Sequence, residues 1–303
     1  MDNNIWIPKT IPQYVMSALS EVVDWGLKML SVPDWWATTK GEGIKVAVLD
    51  TGASLEHPDL KDNIKDSCDF TGSSSGVKDI EGHSTHCCGI IAAIDNGIGV
   101  IGVAPRSSLY VCKVLSDNGC GDYNQIASGI DWAISKGVDI ISMSLGSPLD
   151  SSELYNAVKR AYDKGIIIVC AAGNDGDNHG DNINYPAKYS EVIAVGSIDQ
   201  NMQRSTFSSV GKELTVMAPG GKIYSCFAPD KYAILSGTSM ATPFISGLCA
   251  LVLASHRKNP NSSTPIKNCD DMREHLMRTA IKRDDVTKYG AGIVSPESLL
   301  KET

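Results

Sequence analysis

Three short segments lying far apart in the chain hold between them the groups that acyl transfer needs. They are a carboxylate closing an apolar run, Asp50 in Val-Leu-Asp-Thr-Gly; an imidazole after a glycine, His83; and a hydroxyl in Ser-Gly-Thr-Ser-Met-Ala-Thr-Pro, Ser239. A buried carboxylate can bind one ring nitrogen of an imidazole and fix its tautomer, leaving the other nitrogen to take a proton from a serine. In that arrangement Asp50 orients, His83 is the base and Ser239 the nucleophile. Where the helix after Ser239 begins, free N–H groups and the helix dipole favour an oxyanion. Asn174, which follows Gly173, offers a side-chain amide to the same oxyanion. His86, three residues beyond His83, reads as a structural histidine bonded to backbone. Alone, Asp-Thr-Gly is a strand-end turn and Gly-Thr-Ser a capped helix start; their combination is what points to chemistry.

Something must bring these groups together. Short β-branched runs at 44–50, 109–114, 138–144, 166–171, 192–195 and 214–217 predict strands buried on both faces, since none alternates with polar residues. Helical spacing appears at 83–94, 126–136, 152–164 and 240–255, with a final amphipathic helix at 271–280 after a loop rich in Asn, Ser and Pro. Strands alternating with helices imply βαβ units and an α/β three-layer architecture, a mainly parallel central sheet with helices on both faces. Ligands meet such sheets at the carboxyl ends of the strands, where Asp50, Ser144 and Asn174 fall. No second domain or internal repeat is visible. Pro8 and Pro12 interrupt any regular pattern in the first residues, so 1–19 reads as an extended appendage and 20–303 as one folded domain.

Composition narrows the function. The 303 residues are 42% hydrophobic and 20% charged, enough for a large core. The formal net charge of −8 disfavours nucleic acid as a partner. The apolar runs at 165–172 and 248–254 are shorter than the ~20 residues that cross a bilayer, so no membrane role is expected. The first twelve residues hold no basic run followed by an apolar stretch, and nine cysteines without a Cys-x-x-Cys pair resemble neither a zinc site nor a disulfide framework. The expectation is a cytoplasmic protein with free thiols. Two patterns mislead. Gly97-Ile-Gly-Val-Ile-Gly102 spells a dinucleotide fingerprint, but a helix precedes it where a strand should. Asp175-Gly-Asp-Asn-His-Gly180 imitates an EF-hand start, yet its twelfth position is Pro186, which supplies no carboxylate.

Taken with His57-Pro58-Asp59-Leu60, Gly82-His83-Ser84-Thr85-His86, Ser144-Leu145-Gly146 and Ala172-Gly173-Asn174, these motifs resemble the subtilisin serine proteases from about Ile5 to Val294. Within that family the chain is most similar to the bacterial intracellular subtilisins. The resemblance implies a serine endopeptidase acting on proteins and peptides, with Asp50, His83 and Ser239 as triad and Asn174 as oxyanion donor. Substrate would lie extended between Gly119-Cys120-Gly121 and Ser144-Leu145-Gly146. Tyr123 and Ile126 would line an apolar pocket four residues before the scissile bond. Ala171, Ala172 and Gly173, with Asp175 at the rim, would wall a pocket for a large apolar or aromatic residue just before it. Asp59, Asn96 and the carbonyls of Ile94, Ile98 and Val100 would surround a structural calcium ion, the alternative being a plain glycine-rich turn.

The resemblance further implies that residues 1–19 act as an inhibitor laid through the cleft, with Pro8 misplacing the peptide bond and removal near Leu19–Ser20 activating the enzyme; the alternative is a disordered tail. It leaves a homodimer open. Ser84 stands where the family usually has Gly, Cys87-Cys88 where it has Val-Ala, and Phe244 where it has His. These departures keep open a catalytically silent protein used for binding or signalling. Cys87, four residues after His83, would share its helix face, either as a small buried hydrophobe or as a thiol through which oxidants or mercurials inhibit.

Overall fold

The computed structural model describes residues 4–7, 15–17, 20–177, 180–259 and 265–301. Two short strands open the chain, β1 (Asn4–Trp6) and β2 (Val15–Met16), followed by α1 (Trp25–Met29) and a 3₁₀ turn. Then come β3 (Lys45–Asp50), β4 (Ile64–Asp69), α2 (His83–Ala92), β5 (Ser108–Lys113), β6 (Cys120–Asp122) and α3 (Tyr123–Ser135). The middle of the chain forms β7 (Ile140–Met143), α4 (Ser152–Asp163), β8 (Ile167–Ala171), β9 (Ile193–Ile198), β10 (Val216–Pro219), β11 (Ile223–Phe227) and β12 (Lys231–Leu235). It ends with α5 (Thr238–Lys258), α6 (Cys269–Thr279), α7 (Val286–Tyr289) and α8 (Pro296–Lys301).

Seven strands form one parallel sheet in the order β10-β9-β8-β7-β3-β5-β4. Because side chains alternate along a strand, β3 sends Val46 and Val48 into an apolar layer with α2 and α5, and Ala47 and Leu49 into a second layer with α3 and α4. The sheet is therefore buried on both faces, the three-layer α/β arrangement that the unbroken apolar runs predict. The helix α5 is longer than the expected 240–255. At 21 residues it is long and apolar enough to cross a bilayer, but 94% of its most apolar window is buried within the fold, where it is the central core helix against β7, β8 and β9.

Among the elements that went unread, an edge strand and a small second sheet bear most on the site. The strand β4, Ile-Lys-Asp-Ser-Cys-Asp, lies at the sheet edge and is half-exposed, so it carries no apolar signature. The hairpin β11-β12, joined by β2, forms a small separate antiparallel sheet against α2.

Candidate active site

The strand β3 delivers Asp50 fully buried at its carboxyl end, where Oδ1 accepts the Thr51 N–H at 2.7 Å. His83 opens α2 immediately after Gly82, whose φ of +85° favours glycine and whose missing Cβ leaves room for the Phe227 ring. The His83 Nδ1–H lies 2.8 Å from Asp50 Oδ1 and 3.0 Å from Oδ2. Burial pulls the His83 pKa down, but the charge and hydrogen bond of Asp50, supported by Asp79 and Glu81, carry it above the ordinary value.

Asp79 was not singled out from sequence, yet it ties the two elements together. Its Oδ1 accepts from Thr51 Oγ1 and from the Gly82 N–H, both at 2.8 Å, while Oδ2 accepts from the Thr85 N–H and hydroxyl. The available signal was a carboxylate three residues before the Gly-His helix start, a position suited to the free N–H groups there.

Ser239 sits in the first turn of α5, fully buried. Its Oγ donates to the Ser144 carbonyl at 3.4 Å, and His83 Nε2 is buried without a hydrogen-bond partner, so no hydrogen bond joins serine and imidazole in this structure. Pro243 lies inside α5 and has no N–H, which orphans the Ser239 carbonyl four residues back. That carbonyl accepts instead from Ser144 Oγ at 2.8 Å and Cys87 Sγ at 3.4 Å. Two residues that look unrelated in sequence thereby pin the nucleophile's backbone. Cys87 does lie beside the histidine, with its Sγ within 4.8 Å of ligand atoms of Asp50 and His83, and burial pushes its thiol pKa well up. His86 is structural as expected: Nε2–H donates to the carbonyls of Ile223 and Ala233 at 3.1 Å each, and burial holds its pKa down to about 3. Phe244 is buried in the core layer of α2 and α5 and brings no polar group to the site.

Asn174 Oδ1 accepts from both the Thr238 N–H and the Thr238 hydroxyl at 2.9 Å. With the oxygen so engaged, Nδ2 is the end left to donate. Asn174 and Asp175 line a cleft of about 820 Å³ together with Gly146 and Asn184. Ala171 and Ala172 are buried, Gly173 adopts φ +115°, and Asp175 Oδ2 is held at the rim by Asn184 Nδ2 at 2.9 Å.

Between the two segments expected to hold substrate lies the protein's own N-terminus. The strand β1 pairs antiparallel with β6, Ile5 opposite Gly121 and Trp6 opposite Cys120. Trp6 also exchanges hydrogen bonds with Gly146 (3.2 and 3.0 Å), and the Ile7 N–H donates to Gly119 O at 3.1 Å. Ile5 is completely buried in the apolar layer that contains Tyr123, Ile126 and Leu145. Tyr123 heads α3, three residues earlier than the periodicity places the helix, because Asp122 and Gln125 form a capping box. Its hydroxyl bonds Ser147 Oγ and Leu149 O, both at 2.9 Å. Pro8, Pro12 and Leu19 lie outside the described residues.

The loop 94–100 follows α2, and no helix follows it, which disposes of the dinucleotide pattern. Gly97 and Gly99 have φ of +83° and +64°, and their carbonyls face Glu21 N and Val22 N. The carbonyls of Ile94, Ile98 and Val100 accept no hydrogen bond among the described residues. A Cβ on Gly99 would come within 2.0 Å of Asp59 Oδ2. Asp59 is buried, accepting from Asn96 Nδ2 and the Val100 N–H at 3.0 Å each. A carboxylate, an amide whose oxygen also accepts the Ile98 N–H at 3.0 Å, and three carbonyls without a hydrogen bond make an oxygen donor set whose chemistry fits a hard cation. Glu21, not anticipated from sequence, accepts from Gly97 N at 3.3 Å.

A three-layer α/β fold presenting a carboxylate, an imidazole and a serine at the carboxyl edge of its sheet defines a serine hydrolase. The subtilase family matches residues 41–295, and the chain belongs to that family. It is 45% identical over 260 residues to subtilisin DY of Bacillus licheniformis, covering 86% of this chain and 91% of that one. It is 48% identical over 235 residues to the major intracellular serine protease of Bacillus subtilis (75% and 74% covered) and 46% over 250 residues to an intracellular serine protease of Paenibacillus polymyxa (80% and 77%). The protein is a subtilisin-like serine endopeptidase, and the silent binding protein that Ser84 and Phe244 kept open is set aside.

Replacing Asn174 with Ala removes the amide donor together with the Oδ1 that accepts from the Thr238 N–H and hydroxyl. The expected result is a fall in kcat on the order of 10²-fold with KM little changed, the size known for the equivalent donor in subtilisin. Steady-state kinetics on a chromogenic peptide check it, and an unchanged kcat would remove Asn174 from the oxyanion site.

Proposed function

We propose that this endopeptidase cleaves proteins inside the cell, prefers a large apolar residue before the scissile bond, and is held inactive by its first 19 residues. The observation that carries the reading is the buried contact of His83 Nδ1 with both Asp50 oxygens, beside Ser239 and an Asn174 amide whose oxygen is already engaged. In the reaction, Ser239 Oγ turns from the Ser144 carbonyl and attacks the substrate carbonyl carbon as His83 Nε2 takes its proton. The oxyanion is met by Asn174 Nδ2 and by N–H groups at the start of α5. Collapse of the intermediate expels the amine, which takes the proton from Nε2, and water repeats the sequence on the acyl-enzyme.

The small wall residues Ala171, Ala172 and Gly173 support a preference for large apolar side chains. The intracellular reading is supported by nine cysteines that are all free thiols and by relatives named intracellular serine proteases. A calcium ion held by Asp59, Asn96 and the carbonyls of Ile94, Ile98 and Val100 would fix the loop that follows the His83 helix; its role there is structural.

A fluorophosphonate probe tests the mechanism. On a chain starting at Ser20 it should label Ser239 within minutes and leave the Ser239→Ala variant unlabelled. Absence of label on an active, folded preparation would refute an acyl-enzyme route through this serine.

A further inference from the structure

Cys68 and Cys112 lie directly opposite each other on the neighbouring parallel strands β4 and β5, and their sulfurs approach to 3.0 Å across 44 residues of sequence. Among the described residues no other pair of sulfurs comes within hydrogen-bond distance. Paired residues on adjacent strands stand about 4.8 Å apart, inside the ~4.4–6.8 Å Cα separation that a disulfide spans. The two thiols differ in access: Cys68, on the edge strand, is half-buried, whereas Cys112 is fully buried.

We propose that Cys68 and Cys112 are a redox pair, oxidised by a low-molecular-weight disulfide to a cross-strand bridge that stabilises the enzyme without altering its catalytic rate. Cys68, as thiolate, attacks one sulfur of the small disulfide and expels one small thiolate. Cys112 then gives up its proton and attacks Cys68 Sγ, forming the protein disulfide and releasing the second small thiol. Two protein thiols are oxidised and one small disulfide is reduced to two thiols. Burial, and then its hydrogen bond to Cys68, holds the Cys112 thiol strongly protonated, so the half-buried, more accessible partner attacks first and the buried one resolves.

The position gives the bridge its consequence. The segment it closes contains Asp79, His83 with α2, and the 94–100 loop. It also ties down β4, which is bonded to the sheet on one side only. A cross-link there restricts the unfolded chain and the fraying of the edge. It does not touch Asp50, which pairs with Lys113 one residue further along β5.

The test uses the full chain carrying Ser239→Ala, so that self-digestion does not intrude. After incubation with glutathione disulfide and alkylation, non-reducing peptide mapping should recover a Cys68–Cys112 cross-linked peptide. Thermal unfolding in the presence of a calcium chelator should shift upward by on the order of 5 °C, reversed by dithiothreitol. Cys68→Ser, at a half-exposed position, should fold normally and show neither effect; Cys112→Ser serves as the buried counterpart. In the active chain starting at Ser20, oxidation should leave kcat unchanged. Glutathione retained on Cys68, a bridge between other cysteines, or a bridge without a rise in unfolding temperature would each overturn the proposal.

Discussion

The Asp50→Asn variant should lose about 10⁴-fold in kcat/KM at neutral pH while folding normally. Both Asp50 oxygens face His83 Nδ1, at 2.8 and 3.0 Å, and Oδ1 also accepts the Thr51 N–H. An asparagine fits the same space, but it carries no charge, and with its oxygen kept at the Oδ1 position by the Thr51 N–H its NH₂ stands at the Oδ2 position, 3.0 Å from Nδ1. The imidazole answers by placing its proton on Nε2, the nitrogen that has to receive the Ser239 proton. The base is lost to the wrong tautomer, with no cavity made. The pH profile supplies a second reading. His83 must be neutral to act, so activity falls as pH drops through its pKa. In the native enzyme burial is outweighed by Asp50, and the pKa is raised. Without the Asp50 charge, burial is opposed only by Asp79 and Glu81. The acid limb of the residual activity should therefore move to lower pH. An unmoved limb, or a loss under tenfold, would count against Asp50 as the partner that orients His83. Kinetics across pH 4–9 on a chain starting at Ser20 make the measurement.

What could be read in advance divides by the kind of signal. The central strands were legible because burial on both faces demands unbroken apolar runs, and Asp50, His83 and Asn174 because the chemistry fixes residue types next to glycines. The edge strand β4 was not, since a half-exposed edge tolerates Lys65, Asp66 and Ser67. Asp79 escaped because its value lies in bonds to Thr51 and Thr85, partners on either side of it in sequence but joined only in three dimensions. Ser144 and Cys87 satisfy a carbonyl that Pro243 orphans, and nothing in the spacing links those three positions. The Cys68–Cys112 approach is of the same kind. Cysteine spacing argues against a disulfide framework, while sheet register sets the sulfurs side by side. Local chemistry is legible in sequence; pairings made by register are not.

Removing residues 1–19 should raise turnover of a peptide substrate by on the order of 10³-fold. What the segment gains in the cleft sets the size of the effect. Burying the whole Ile5 side chain is worth about 2 kcal/mol. The hydrogen bonds of Trp6 with Gly146 and of Ile7 with Gly119 add roughly 1 kcal/mol each. Against a cost of ordering that is low for a tethered strand, about 4 kcal/mol remains, and each 1.4 kcal/mol is tenfold. A substrate must displace this strand to reach the same edges of Gly119–Gly121 and Ser144–Gly146. Ile5→Ala in the full chain isolates the apolar share and should release about 10-fold or more of the masked activity. The same substitution is absent from a chain starting at Ser20, so the two proteins separate anchoring from folding. A peptide of residues 1–19 added to the shortened enzyme should inhibit competitively, and the Ile5→Ala peptide more weakly. Initial rates, taken while mass spectrometry shows the full chain uncut, decide the matter. Equal rates for the full and shortened chains would reduce the strand in the cleft to a bystander. A full chain that accelerates with a lag, the lag shortening as enzyme concentration rises, would show that one copy removes the segment from another.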